Sequence, residues 1–150
     1  MRLGREVHVN PMPATGQQAA VLAANESFYR AFATRDLAAM DRVWAQEAAV
    51  VCVHPGWAPL LGREAVMESW VGILGNPSSP NIRCVQPQAS IYGQVAMVLC
   101  YEAVERGYLV ATNLFVRESG VWKLFHHQAG PTTPPAGPST PGGPAFKRLH

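Results

Sequence analysis

The stretch Gly120-Val121-Trp122-Lys123-Leu124-Phe125-His126-His127-Gln128-Ala129-Gly130-Pro131 decides how this chain is read. Ser119-Gly120 marks a tight hairpin turn, because glycine takes the positive φ such a turn needs without steric cost. From Val121 the residues alternate with period two, which predicts a strand over 121–129. Working back, breaks at Tyr92-Gly93 and Arg106-Gly107 separate three more period-two runs, near 82–91, 94–105 and 108–117. The second half of the chain is therefore a meander of long antiparallel strands.

Upstream of Asn81 the period is helical. Thr15-Gly16-Gln17-Gln18 has the spacing of a capping box, and apolar residues recur at Val21, Leu22, Phe28, Tyr29 and Phe32. Asp36 is placed to cap a second helix carrying Leu37, Met40, Val43 and Trp44. Ala48 to His54 predicts a short Val-rich strand closed by Pro55-Gly56. A third helix begins at Gly62-Arg63-Glu64, with Val66, Trp70, Ile73 and Leu74 inward, and ends at Asn76-Pro77-Ser78-Ser79-Pro80. Helices followed by a meander predict an α+β domain over 15–131 with helices on one face of a curved sheet. Residues 1–14 have no sustained period and predict a flexible arm. The Pro- and Gly-rich residues 132–150 predict a disordered tail.

Composition narrows the function. A net charge of +2 with scattered Lys and Arg argues against nucleic acid as a partner. No segment approaches the roughly 20 apolar residues of a membrane span. Cys52, Cys84 and Cys100 are odd in number and lie among apolar residues, as reduced buried thiols do, so a cytoplasmic location is expected.

Taken in order, Phe28-Tyr29, Asp36-Leu37 with Met40 and Trp44, His54-Pro55-Gly56-Trp57, and Gly62-Arg63-Glu64-Ala65-Val66 with Trp70 form a pattern. Thr112-Asn113 with Phe115, and Gly120-Val121-Trp122 with His126-His127, complete it. In this order they resemble the SnoaL-like branch of the nuclear transport factor two-like superfamily, over about Gln17 to Pro131. The resemblance implies a cone of three helices on a strongly bent sheet, with a pocket inside and a homodimer through the sheet's outer face. Related sheets often end in His-x-His-x-Ser; here Gln128 and Gly130 stand at the last two positions.

Alternation sorts the faces of the last strand, with Trp122, Leu124, His126 and Gln128 on one side and Lys123, Phe125 and His127 on the other. Pairing Arg117 with Val121 across the turn adds Thr112, Leu114 and Val116 to the first, interior set. Asn113, Phe115 and Arg117 then join the outer set, and Glu102 is read as outward too. A shift of one residue in register would invert these partners. On this sorting the cone mouth collects His54, Trp57, Trp70, Tyr101, His126 and Gln128, an aromatic cavity with few polar groups.

The expected function is the binding of an apolar or aromatic small molecule by Trp57, Trp70, Tyr101, Thr112 and Gln128. If there is turnover, His54 or His126 moves the proton in an isomerisation, dehydration or hydrolysis. The only aspartates, Asp36 and Asp41, fall at the second helix, so no carboxylate base is identified in the cone. His54 with His126 lacks a third ligand, so neither a metal nor another cofactor is expected. The competing expectation is a non-catalytic dimerisation or partner-binding module.

Overall fold

The computed structural model describes residues 16–137. Three helices come first or early: α1 (Gln17–Thr34), α2 (Leu37–Val43) and, after two short strands, α3 (Arg63–Gly75). The short strands are β1 (Val51–Val53) and β2 (Leu60–Leu61). The long meander follows as β3 (Arg83–Tyr92), β4 (Val95–Val104), β5 (Gly107–Glu118) and β6 (Val121–Thr132). The sheet order is β2-β1-β6-β5-β4-β3. All neighbours are antiparallel except β1 and β6, which run parallel. The α+β expectation therefore stands, with the short β2 added and the first strand shortened. The predicted arm at 1–14, the Thr15 of the capping box and the tail from 138 lie outside the described residues.

Local chemistry explains the ends. Asp36 caps α2, its Oδ1 accepting from the Ala39 amide at 3.0 Å. Gly16 stands at the N-cap of α1, with no side-chain cap bond. Arg63 ties the start of α3 to the end of α2 by donating to the Trp44, Ala45 and Asp41 carbonyls and to Asp41 Oδ1. Arg35 holds the loop after α3, donating to the Ile73, Asn76 and Ser79 carbonyls. Between helices and sheet lies a core centred on Phe28, Trp44, Trp70, Phe115 and Leu124, all fully buried. No helix among the described residues is long and apolar enough to cross a membrane.

Two details of register correct the predicted faces. Ser119 and Gly120 both have positive φ (50° and 77°), as a two-residue type I′ turn requires, so Glu118 pairs with Val121 and Arg117 with Trp122. That one-residue shift sends Asn113 and Phe115 inward and Thr112, Leu114 and Val116 outward. Further along, Leu114 pairs with His126 but Phe115 with Leu124, leaving Phe125 as a β-bulge. Trp122 and Leu124 are inside before the bulge; His127 and Ala129 are inside after it. His126 and Gln128 thus face out. On β4 the buried residues are Ala96, Val98, Cys100 and Glu102, so Tyr101 also faces out and Glu102 faces in.

Candidate functional site

Because the bulge turns His127 inward, the mouth of the cone is more polar than alternation predicts. A cavity of about 610 Å³ opens there between β1, α3 and the inner face of β4–β6. His54, Trp57, Ser69, Glu102 and His127 line it, with Phe32, Ile73 and Leu109 as apolar wall. Each side chain has a structural reason for its place. The turn closed by the Trp57 amide on the His54 carbonyl (2.9 Å), with Gly56 at φ 80°, folds Trp57 back over His54, ring centroids 4.8 Å apart. Ser69 comes from α3, one residue before the buried Trp70. Two larger grooves, about 850 and 700 Å³, flank α1; the second reaches the back of the polar network at Asn25 and Tyr29.

One amide sets the direction of the bonds around it. Asn113 Nδ2 donates to Asn25 Oδ1 (2.9 Å) and to the Tyr29 hydroxyl (3.1 Å). Its Oδ1 must then accept, so the bond from His127 Nδ1 carries the imidazole proton and leaves Nε2 as a bare acceptor. Tyr29 in turn donates to Glu102 Oε2 at 2.6 Å. His127 Nε2 stands 3.9 Å from that same oxygen. This is too long for a hydrogen bond, but a third oxygen lying about 2.8 Å from both atoms fits between them. At His54 the Ser69 hydroxyl donates to the Val66 carbonyl (2.6 Å), so it accepts from His54 Nε2 at 2.9 Å.

Burial sets the charges. Asn25, Glu102, Asn113 and His127 are each no more than 3% exposed, and His54 4%. Burial pushes the Glu102 carboxyl up to about 7, against which the Tyr29 bond pulls down. Burial drives His54 down to about 4 and, with the neighbouring His54 and His126, drives His127 down to about 3. Both imidazoles are therefore neutral at physiological pH, and Glu102 is the group poised to give or take a proton there. Cys52 beside His54 is no nucleophile: burial, with the Glu102 charge, raises its thiol to about 12.

Of the residues singled out in the sequence, the structure brings His54 and Trp57 to the cavity. Trp70 packs beneath it as core, fully buried, with its ring 4.9 Å from His54 and 5.3 Å from Phe32. Tyr101, Thr112, His126 and Gln128 lie on the opposite face of the sheet; Tyr101 meets Tyr108 there, centroids 6.5 Å apart. His54 and His126 thus point away from one another across the sheet. Sequence reasoning missed Glu102, Asn113, His127, Asn25 and Tyr29 as one network. A signal was present: Asn25 sits four residues after Val21 and three before Phe28, a polar side chain on the buried stripe of α1.

A SnoaL-like domain family model matches residues 21–134, most of the described chain. The chain belongs to the SnoaL-like family. Among solved structures this SnoaL-like chain is similar to a proposed dehydratase of the nuclear transport factor two-like family from Streptomyces avermitilis. That likeness has 29% identity, a TM-score of 0.70, and covers 77% of this chain and 95% of that one. A proposed calcium/calmodulin-dependent protein kinase type II association domain from Thiobacillus denitrificans is 30% identical, with a TM-score of 0.66, covering 75% and 94%. The F-box protein SKIP8 of Arabidopsis thaliana is 26% identical over 112 residues, 73% of this chain; the match spans about half (48%) of that protein.

Proposed function

We propose that this SnoaL-like protein binds a small, largely apolar molecule in the cone cavity and moves a proton on it, with Glu102 as the general acid–base. The observation that carries this reading is a buried carboxyl poised near neutrality at the cavity wall, 3.9 Å from the bare Nε2 of His127. A catalytic acid–base works best with a pKa near the working pH. Glu102 supplies it, and Tyr29 holds its carboxyl in place. His127 accepts a hydrogen bond from a hydroxyl or water seated between the two, and Trp57 covers the ligand. An isomerisation or a dehydration fits this pair, and the likeness to the Streptomyces protein supports the second. Histidine remains in the reading, but as an acceptor rather than as the group that titrates.

The test is a screen of cyclic ketones, lactones and phenols, for thermal shift and for turnover, on the wild type and on Glu102→Gln. The variant is expected to bind hits with similar affinity and to lose turnover by about 10²-fold or more. Wild-type turnover by the variant, or a library that leaves the wild type unmoved, would overturn the reading.

A second reading concerns the other face of the sheet and does not compete for the cavity. Leu99 is 43% exposed there, among the half-buried Met97, Tyr101, Val110 and Leu114. We infer from this apolar face that two copies pair through it, and the likeness to an association domain supports the idea. Light scattering across a dilution series tests it; a monomer at high micromolar concentration rejects it.

A further inference from the structure

Charge in and around the cavity points to the class of molecule it takes. Among the described residues that line it there is no lysine or arginine, while Glu102 stands at its depth and Glu68 at its exposed rim. The nearby Arg35 is committed to the carbonyls of Ile73, Asn76 and Ser79, with its Nη atoms 2.8 Å from the last two. The two imidazoles are neutral, and their Nδ1 and Nε2 protons are already given to Asn113 and Ser69. A carboxylate or phosphate entering here would lose its hydration beside two acids and meet no cation. Burying an unpaired anion is among the most costly events in a protein interior. At the deep end, by contrast, Glu102 Oε2 and His127 Nε2 stand 3.9 Å apart, a separation that one bridging oxygen can span. A hydroxyl there would donate to one of them, and a carbonyl would accept from the protonated carboxyl. Phe32, Ile73, Leu109 and the half-exposed Trp57 offer flat apolar wall for the rest of the molecule.

We propose that the cavity takes an uncharged ring-bearing alcohol, phenol or ketone, its oxygen between Glu102 and His127, and rejects molecules of the same shape that carry a carboxylate or phosphate. The proposal rests on the small-molecule reading above and adds the charge of the ligand. A matched series tests it: naphthol, acetylnaphthalene and naphthoate titrated into the isotope-labelled full chain at mildly acidic pH, below the value of about 7 at which Glu102 gives up its proton, and followed by the His127 and Trp57 ring signals. The neutral pair is expected to shift both signals and to bind at least about 10-fold more tightly than naphthoate, a difference of about 1.4 kcal/mol. Glu68→Lys, changed at the exposed rim, is expected to narrow that gap by strengthening naphthoate alone. Naphthoate binding as tightly as the neutral pair, with the same signals shifted, overturns the charge rule and leaves the cavity reading standing. No shift of either ring by any of the three overturns both.

Discussion

His126 and His127 are neighbours in sequence and different chemical species in the fold. His127 is 3% exposed, with Nδ1 fixed on Asn113, the Phe28 ring tilted against it at 4.9 Å, and burial holding it neutral down to about pH 3. His126, on the outer face opposite Leu114, is only partly buried; burial lowers it, and Gln128 draws it back up. The same division runs through the sheet. Glu102 and Asn113 share a buried network, whereas Tyr101 and Thr112, one residue away on the same strands, do not. Proton chemistry at this sheet is decided by which face a residue falls on, which the bulge at Phe125 sets for the two histidines, and not by its type.

That division is broken most severely by removing its hub. Asn113→Ala strands the His127 Nδ1–H, the Asn25 carbonyl and a lone pair of Tyr29 together, inside a fully buried site. At about 1–3 kcal/mol for each group left unsatisfied, partly relieved by relaxation, the expected loss is about 3 kcal/mol in urea unfolding. Thr112→Ala, its neighbour on the outer face, is expected to stay within about 0.5 kcal/mol. Equal losses at the two positions would mean the inner network contributes nothing special.

The second effect is one of pH. Glu102 has an ordinary value of 4.5 and a folded one near 7, so the folded state binds more protons in between. Its contribution is fully present below about 4.5 and is lost as pH rises through about 7. His54 and His127 act in the opposite sense. Depressed from 6.5 to about 4 and about 3, they cost stability as pH falls below 6.5. The difference between Glu102→Gln and wild type isolates the carboxyl: the variant should gain about 2 kcal/mol relative to wild type between pH 4.5 and 7. A flat difference would show that Glu102 is not held protonated by its surroundings. The Ser69→Ala effect is smaller, about 1 kcal/mol in the same urea unfolding, because it removes only one acceptor from His54 Nε2.

The order of elements, the glycine turns and the Asp36 cap were legible in the sequence because each rests on local chemistry. The faces were not. On β4 one parity offers Ala96, Val98, Cys100 and Glu102 and the other Val95, Met97, Leu99 and Tyr101. Both are apolar, so alternation does not say which one the helices cover. The bulge at Phe125 has no proline or glycine to announce it. With Glu102 assigned to the outward parity no acid is expected in the cone, although it stands in the buried register two residues from Cys100. His54 and Trp57 were found because Pro55-Gly56 fixes a turn that needs no long-range register.

The smallest expected effect is the most direct test of the bulge. His126→Ala, on the outer face, should change the stability of dilute protein by no more than about 0.5 kcal/mol, since its ring completes no buried bond. In an NMR titration of the wild type, His126 should take up its proton at a pH below the 6.5 of a free imidazole, while His127 stays neutral until about pH 3 with its proton on Nδ1. Nitrogen shifts report both the charge and the tautomer. If the two residues exchanged these roles, the strand would carry no bulge at Phe125, His126 would stand beside Glu102, and the proton-transfer pair would have to be redrawn around it.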